Sequence, residues 1–224
     1  VTASTVTTAI TSATAGDIIQ INNTSGADLS IDVTATIIIN TELTLEGTGA
    51  NAVIFDGGEA TALFRVAAFS SGPTKATFKS LSFQDGSSQF GSAIHTFNQS
   101  EIYIENSNFL NNRASNTGGA IGANGKLTIL NTSFDNNSTD RDGGAILYDG
   151  SDTLTIESST LSNNSTDRFW GGALWVNGGA TVIVHTSTTA NNTAGANTAQ
   201  AGSTGGPAHF CSVDAVTIGN ATGA

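Results

Sequence analysis

The chain has no methionine, one cysteine and two prolines among 224 residues. A single cysteine, Cys211, excludes an internal disulfide. It leaves a small buried hydrophobe or a bridge to another chain in an oxidising compartment. An unprocessed chain opens with methionine, whereas this one opens with Val1. The expectation is that a leader has been removed, and with it a secreted or cell-surface location. Positive charge is scarce too: 7 Lys and Arg face 18 Asp and Glu, a net charge of −11. That balance argues against nucleic acid and anionic membrane surfaces as partners. No run of 18 apolar residues occurs, so no helix is expected to insert into a membrane. Few prolines and only 11% charged residues argue against a disordered chain. There is no nucleophile elbow and no phosphate loop, and His95, His185 and His209 lack metal-ligand spacing.

What the chain has instead is repetition. Segments 102–121, 127–146, 154–174 and 182–208 share one pattern: an alternating apolar strand, a second short strand, Asn-Asn, a gap, then Gly-Gly-Ala-apolar or a variant. Phe109, Phe134, Leu161 and Thr189 recur at steps of 25, 27 and 28, and so do Asn112, Asn137, Asn164 and Asn192. A nearly fixed period with small insertions means stacked supersecondary units. Alternation at Leu127 and Ile129, Leu154 and Ile156, and Val182 and Val184 means strands. The gaps are too rich in Gly, Ser and Asn for helical repeats.

One unit of about 25 residues is one coil of a parallel β-helix, an all-β solenoid. Stacking predicts three interior columns. Ile104, Ile129, Ile156 and Val184 form one, Phe109, Phe134 and Leu161 another, and Ile94, Ile121, Ile146 and Leu174 the third. The pairs ending in Gly119, Gly144 and Gly172 are expected at a corner where a side chain clashes or φ is positive. Asn111, Asn136, Asn163 and Asn191 share the parity of the preceding apolar position, so they are expected to point inward as an amide ladder. Residues 1–16 read as a cap or an exchanged arm, with Val6, Ala9, Ile10 and Ala13 on one face of a short helix ended by Gly16. Residues 17–224 read as the solenoid, about eight coils and roughly 40 Å long, with an incomplete last coil.

Candidate chemistry lies on the corners. Ser138-Thr139-Asp140-Arg141 and Ser165-Thr166-Asp167-Arg168 are the same tetrapeptide one coil apart, and Asp142 is close in sequence. A row of carboxylates at Asp140, Asp142 and Asp167 can serve as acid and base on a glycan, or simply pair with Arg113 and Arg141 in solvent. Asp149 and Asp152 belong to one copy of a Gly/Asp pattern that binds Ca²⁺ when consecutive copies stack. No cofactor is implied. Trp170 and Trp175, with Phe169 and Tyr148, are either a sugar-stacking patch or corner packing. Asn22, Asn98, Asn131, Asn137, Asn164 and Asn220 head Asn-x-Ser/Thr sequons and are candidate glycosylation sites.

The Gly-Gly-Ala-Ile runs at 118–121 and 143–146 and the Phe-x-x-Asn runs at 109–112 and 134–137 resemble the polymorphic outer-membrane protein repeat of bacterial surface proteins. The runs Gly16-Asp17-Ile18-Ile19, Leu43-Thr44-Leu45-Glu46-Gly47 and Ile54-Phe55-Asp56-Gly57-Gly58 are similar to the opening coils of pectate-lyase-like right-handed β-helices. The resemblance implies a right-handed parallel β-helix, displayed and adhesive. Leu161 and Thr189 depart from its Phe, and Pro207 breaks its last Gly-Gly-Ala. The expected function is an extracellular structural or adhesive subunit, self-associating end to end or holding a glycan or host-surface ligand. A polysaccharide-active enzyme is the alternative. Ice binding ranks third, because the outward column Tyr103, Thr128, Thr155, Ile183 is irregular.

Overall fold

A computed structural model describes residues 1–67, 73–97, 99–177 and 180–194. They form a parallel β-solenoid of four sheets with one N-terminal helix. In chain order each full coil visits sheets I, II, III and IV. Sheet I stacks Asp17–Asn23, Leu43–Gly49, Lys75–Lys79, Glu101–Glu105, Leu127–Leu130, Thr153–Glu157 and Thr181–His185. Sheet II stacks Leu29–Asp32, Val53–Asp56, Ser82–Gln84, Asn108–Leu110, Ser133–Asp135, Thr160–Ser162 and Thr188–Ala190. Sheet III holds Ser87–Phe90, Arg113–Thr117, Ser138–Thr139 and Ser165–Thr166. Sheet IV holds Ile37–Ile39, Phe64–Val66, Ile94–Thr96, Ile121–Ala123, Ile146–Asp149 and Leu174–Asn177. Among the described residues sheets I and II are seven strands deep, against about eight coils expected. The expected last coil at 205–220 lies outside the described residues, as does Cys211.

The three apolar columns form in the expected register. Ile104 pairs with Ile129, Ile129 with Ile156, and Ile156 with Val184. Phe109 pairs with Phe134 and Phe134 with Leu161. Ile94, Ile121, Ile146 and Leu174 follow in sheet IV. Phe83, Phe109 and Phe134 stack nearly parallel with centroids 4.7 and 4.6 Å apart. That is close to the spacing of adjacent strands, so identical residues on successive coils fall face over face.

The Asn pairs correct the expectation. The first members, Asn111, Asn136, Asn163 and Asn191, have φ of 54–55° and point out into solvent. The second members, Asn112, Asn137, Asn164 and Asn192, are the buried ones. A residue in the left-handed region between two extended segments breaks the period-two alternation, so parity does not carry across it. Asn tolerates that conformation better than other non-glycine residues. The buried amides form the ladder instead. Asn137 Oδ1 accepts from the Asn112 backbone N–H at 3.1 Å and from its Nδ2 at 3.0 Å. Asn164 Oδ1 receives the same two bonds from Asn137, and Asn192 Oδ1 from Asn164. Each Nδ2 also donates to a carbonyl of sheet II, as Asn137 does to Phe109 at 3.1 Å.

The corner between sheets I and II repeats this arrangement with hydroxyls. Asn106, Asn131, Ser158 and Thr186 take positive φ. The residues that follow, Ser107, Thr132, Ser159 and Ser187, make the ladder: Thr132 Oγ1 accepts from Ser107 N–H, Ser159 Oγ from Thr132 N–H, and Ser187 Oγ from Ser159 N–H. Gly118, Gly143 and Gly171 have φ of 66–70° at the corner between sheets III and IV. At Gly119 and Gly144 a Cβ would strike the carbonyl oxygen of the next coil's Gly144 and Gly172. At Gly172 it would meet the Thr193 backbone at 2.6 Å. The helix α1 (Ala3–Ser12) starts at Thr2, whose Oγ1 accepts from Thr5 N–H. It lies against strand Ile37–Ile39 and adds Val6 and Ile10 to the core.

Two stability predictions follow from the corners. Asn137→Ala strands the Asn112 N–H in the core, at about 1–3 kcal/mol for the buried group. Asn136→Gly relieves a left-handed residue and is close to neutral. Urea denaturation of the two variants measures this contrast. Gly144→Ala meets only backbone, so the expected result is loss of the cooperative transition in a thermal melt.

Candidate functional site

The exposed corners place the sequons first. Asn22 and Asn131 are exposed, whereas Asn137 and Asn164 are wholly buried ladder members. Glycosylation at Asn137 or Asn164 is therefore incompatible with the folded chain. Their neighbours Asn136 and Asn163 are exposed and also head sequons. Asn98 and Asn220 lie outside the described residues.

Sheet III brings two of the three candidate carboxylates together. Ser138 stacks on Ser165 and Thr139 on Thr166, so the two Ser-Thr-Asp-Arg tetrapeptides are in register. Arg113, one coil earlier, stacks on Ser138. Its Nη2 donates to Asp140 Oδ1 at 2.6 Å and to Asp167 Oδ2 at 3.4 Å. One guanidinium thus spans three coils, although exposed pairs of this kind add no more than about 1 kcal/mol each. Asp142 does not join them. It is buried, and its Oδ1 accepts from Trp170 N–H at 3.2 Å. The candidate Ca²⁺ ligands are likewise separate in their bonding. Asp149 Oδ1 accepts from Asn177 Nδ2 at 2.9 Å, and Asp152 Oδ1 from Thr153 N–H at 2.7 Å. Among the described residues no group of three or more His, Cys, Asp or Glu is placed to hold a metal ion.

A second feature was not legible in the repeat. The outward residues of sheet IV form the column Arg65, His95, Gly122, Leu147, Trp175. Of these, His95, Gly122, Leu147 and Trp175 make the floor of a groove of about 390 Å³. One wall comes from the corner between sheets III and IV, with Asn116, Thr117, Arg141 and Asp142. The other comes from the corner between sheets IV and I, with Asn124, Asp149 and Asn177. Gly122 sits in the middle of the floor with no positive φ, and a Cβ there would meet His95 Cδ2 at an ordinary 3.4 Å. Its backbone does not demand glycine, so what glycine supplies here is room. Of the aromatic set read from the sequence, only Trp175 lines this groove. Phe169 lies 5.9 Å from Trp170 under the Arg141 guanidinium, and Tyr148 points into the core. Burial pushes the Tyr148 hydroxyl up to about 12, with Asp152 adding a smaller push.

The His95 and Phe97 ring centroids lie 4.3 Å apart, and the Arg65 guanidinium carbon lies 4.0 Å from the Phe97 centroid. Burial, and then the Arg65 charge, lower the imidazole from 6.5 to about 4. The signal that would have found the groove is the single glycine in a column of bulky outward residues.

The chain matches the family model of the right-handed β-helix region over residues 17–207. It belongs to that family, and the hand of the solenoid follows. No curated protein and no solved structure matches it significantly.

The His95 environment sets a pH dependence. The unfolded imidazole binds its proton near 6.5 and the folded one near 4. This contribution to stability is complete above 6.5, falls as the pH drops towards 4, and is flat below. Its size is roughly 3 kcal/mol. Chemical denaturation across this range, compared with His95→Gln, reads it: the variant has a shallower slope.

Proposed function

We propose that this chain is a non-enzymatic extracellular β-helix, secreted or displayed at a cell surface, whose role is structural or adhesive. The observation that carries this reading is the unbroken coil-to-coil bonding of the Asn and Ser/Thr ladders. Every level from Asn112 to Asn192 is tied to the next by buried side-chain bonds. Such a rod holds its side faces in fixed register, which suits presentation of a surface to a ligand. The edge strands Asp17–Asn23 and Leu29–Asp32 at the N-terminal end are a surface on which a second copy can stack.

A polysaccharide-active enzyme is the second reading. Its support is the Arg113 guanidinium, which draws Asp140 and Asp167 to one point on sheet III. Two neighbouring carboxylates are the equipment of a glycosidase.

Protease treatment of intact source cells and analysis of their medium test the location: the chain is expected in the released fraction. Incubation with neutral and acidic polysaccharides tests the chemistry, and no new reducing ends are expected. Reducing ends that form with the native chain and vanish in the Asp140→Asn, Asp167→Asn double variant would assign it as an enzyme. Retention inside the cell would remove the extracellular reading.

A further inference from the structure

We infer that the groove over sheet IV binds a neutral saccharide of one or two sugar rings, held without cleavage. The inference rests on the reading of the chain as a non-enzymatic display rod and adds the class of its ligand. The volume of about 390 Å³ lies in the range of small-ligand sites. The surface is mixed in the way a sugar is mixed. Phe90 and Trp175 offer aromatic faces, while Asn116, Thr117, Asn124 and Asn177 offer amides and a hydroxyl.

A second observation points to a missing partner. Among the described residues five buried side-chain polar atoms make no hydrogen bond, and three of them belong to this one lining. They are Asn116 Oδ1, Thr117 Oγ1 and Trp175 Nε1. Buried polar atoms are paired in the great majority of cases, so a cluster of orphans marks a place where something is normally bound. They comprise an acceptor, a hydroxyl and a donor. A sugar hydroxyl both donates and accepts, so one class of group serves all three. Small rotations of these half-buried side chains expose the atoms to a ligand seated over Gly122.

Charge favours a neutral ligand over a polyuronate. Arg141 is the single cation of the lining, and it is offset by Asp142 on its own wall and Asp149 on the opposite one. The chain as a whole carries −11, which repels a polyanion along the whole rod.

The test uses the full chain with Trp170→Phe, so that Trp175 is the only remaining tryptophan. Gluco-, galacto-, manno- and N-acetylglucosamine oligosaccharides are titrated to millimolar concentration against its fluorescence, with oligogalacturonate as the acidic probe. At least one neutral probe is expected to saturate the signal. Gly122→Leu, which fills the groove floor, and Asn116→Ala are each expected to weaken that binding about tenfold or more. Lys79→Gln, on sheet I, is expected to leave it unchanged. Circular dichroism melts check that each variant folds, and Gly122→Ala supplies a milder filling if the leucine does not. No binding of any neutral probe, binding that survives a folded Gly122→Leu, or tighter binding of oligogalacturonate would each overturn the inference. Product analysis of the same mixtures separates the two readings. Cleaved sugar would refute the non-enzymatic role while leaving the groove, and absent binding would refute the groove while leaving the rod.

Discussion

From residue 101 onward the structure depends on what happens at two corners of each coil. A residue in the left-handed region turns the chain, and the next residue is driven inward with a polar side chain. Burying an amide or a hydroxyl is unfavourable unless it is bonded. The partners at that depth are nearby backbone carbonyls and the same groups one coil above and below. A ladder of polar side chains therefore enforces one register between coils, because a slip of a single residue would leave amides unpaired along the column. The apolar columns of Ile, Leu and Phe supply burial, but many apolar registers would bury them nearly as well. The Asn112 to Asn192 ladder selects among those registers.

Glycine completes the frame at the third corner. Gly118, Gly143 and Gly171 take a conformation that side chains resist, and the glycines after them approach the next coil closely. The two devices differ in kind. One holds coils together by bonds, the other lets them approach by removing atoms.

The three apolar columns and the Gly-Gly corners were legible in the sequence, because the period repeats them at matching positions. Three features were not. Alternation of apolar residues reveals nothing about φ, so Asn111 and Asn112 could be assigned to the wrong faces without disturbing any strand. Sheet III was invisible for a related reason. Its strands Ser138–Thr139 and Ser165–Thr166 contain no large apolar residue, and their pairing is imposed by neighbouring coils. The groove escaped because its residues come from different coils and different corners. The carboxylates show the opposite outcome: sequence proximity grouped Asp142 with Asp140, and the fold sends them to different surroundings.

The variable period has a consequence for where this chain can change. The spans Ile104 to Phe109, Ile129 to Phe134, Ile156 to Leu161 and Val184 to Thr189 are of equal length, and so are those from Phe109 to Asn112 and its equivalents. The growth from 25 to 28 residues therefore falls entirely elsewhere. It enters between Asn164 and Gly172, and between Ile146 and Ile156, compared with the same spans one coil earlier. Those are the two corners that flank sheet IV. Half of the circumference is thus a rail of constant gauge, and the other half accepts extra residues. A lineage of such chains can reshape both banks of the groove, and so alter what they hold, while the rail beneath keeps the same spacing.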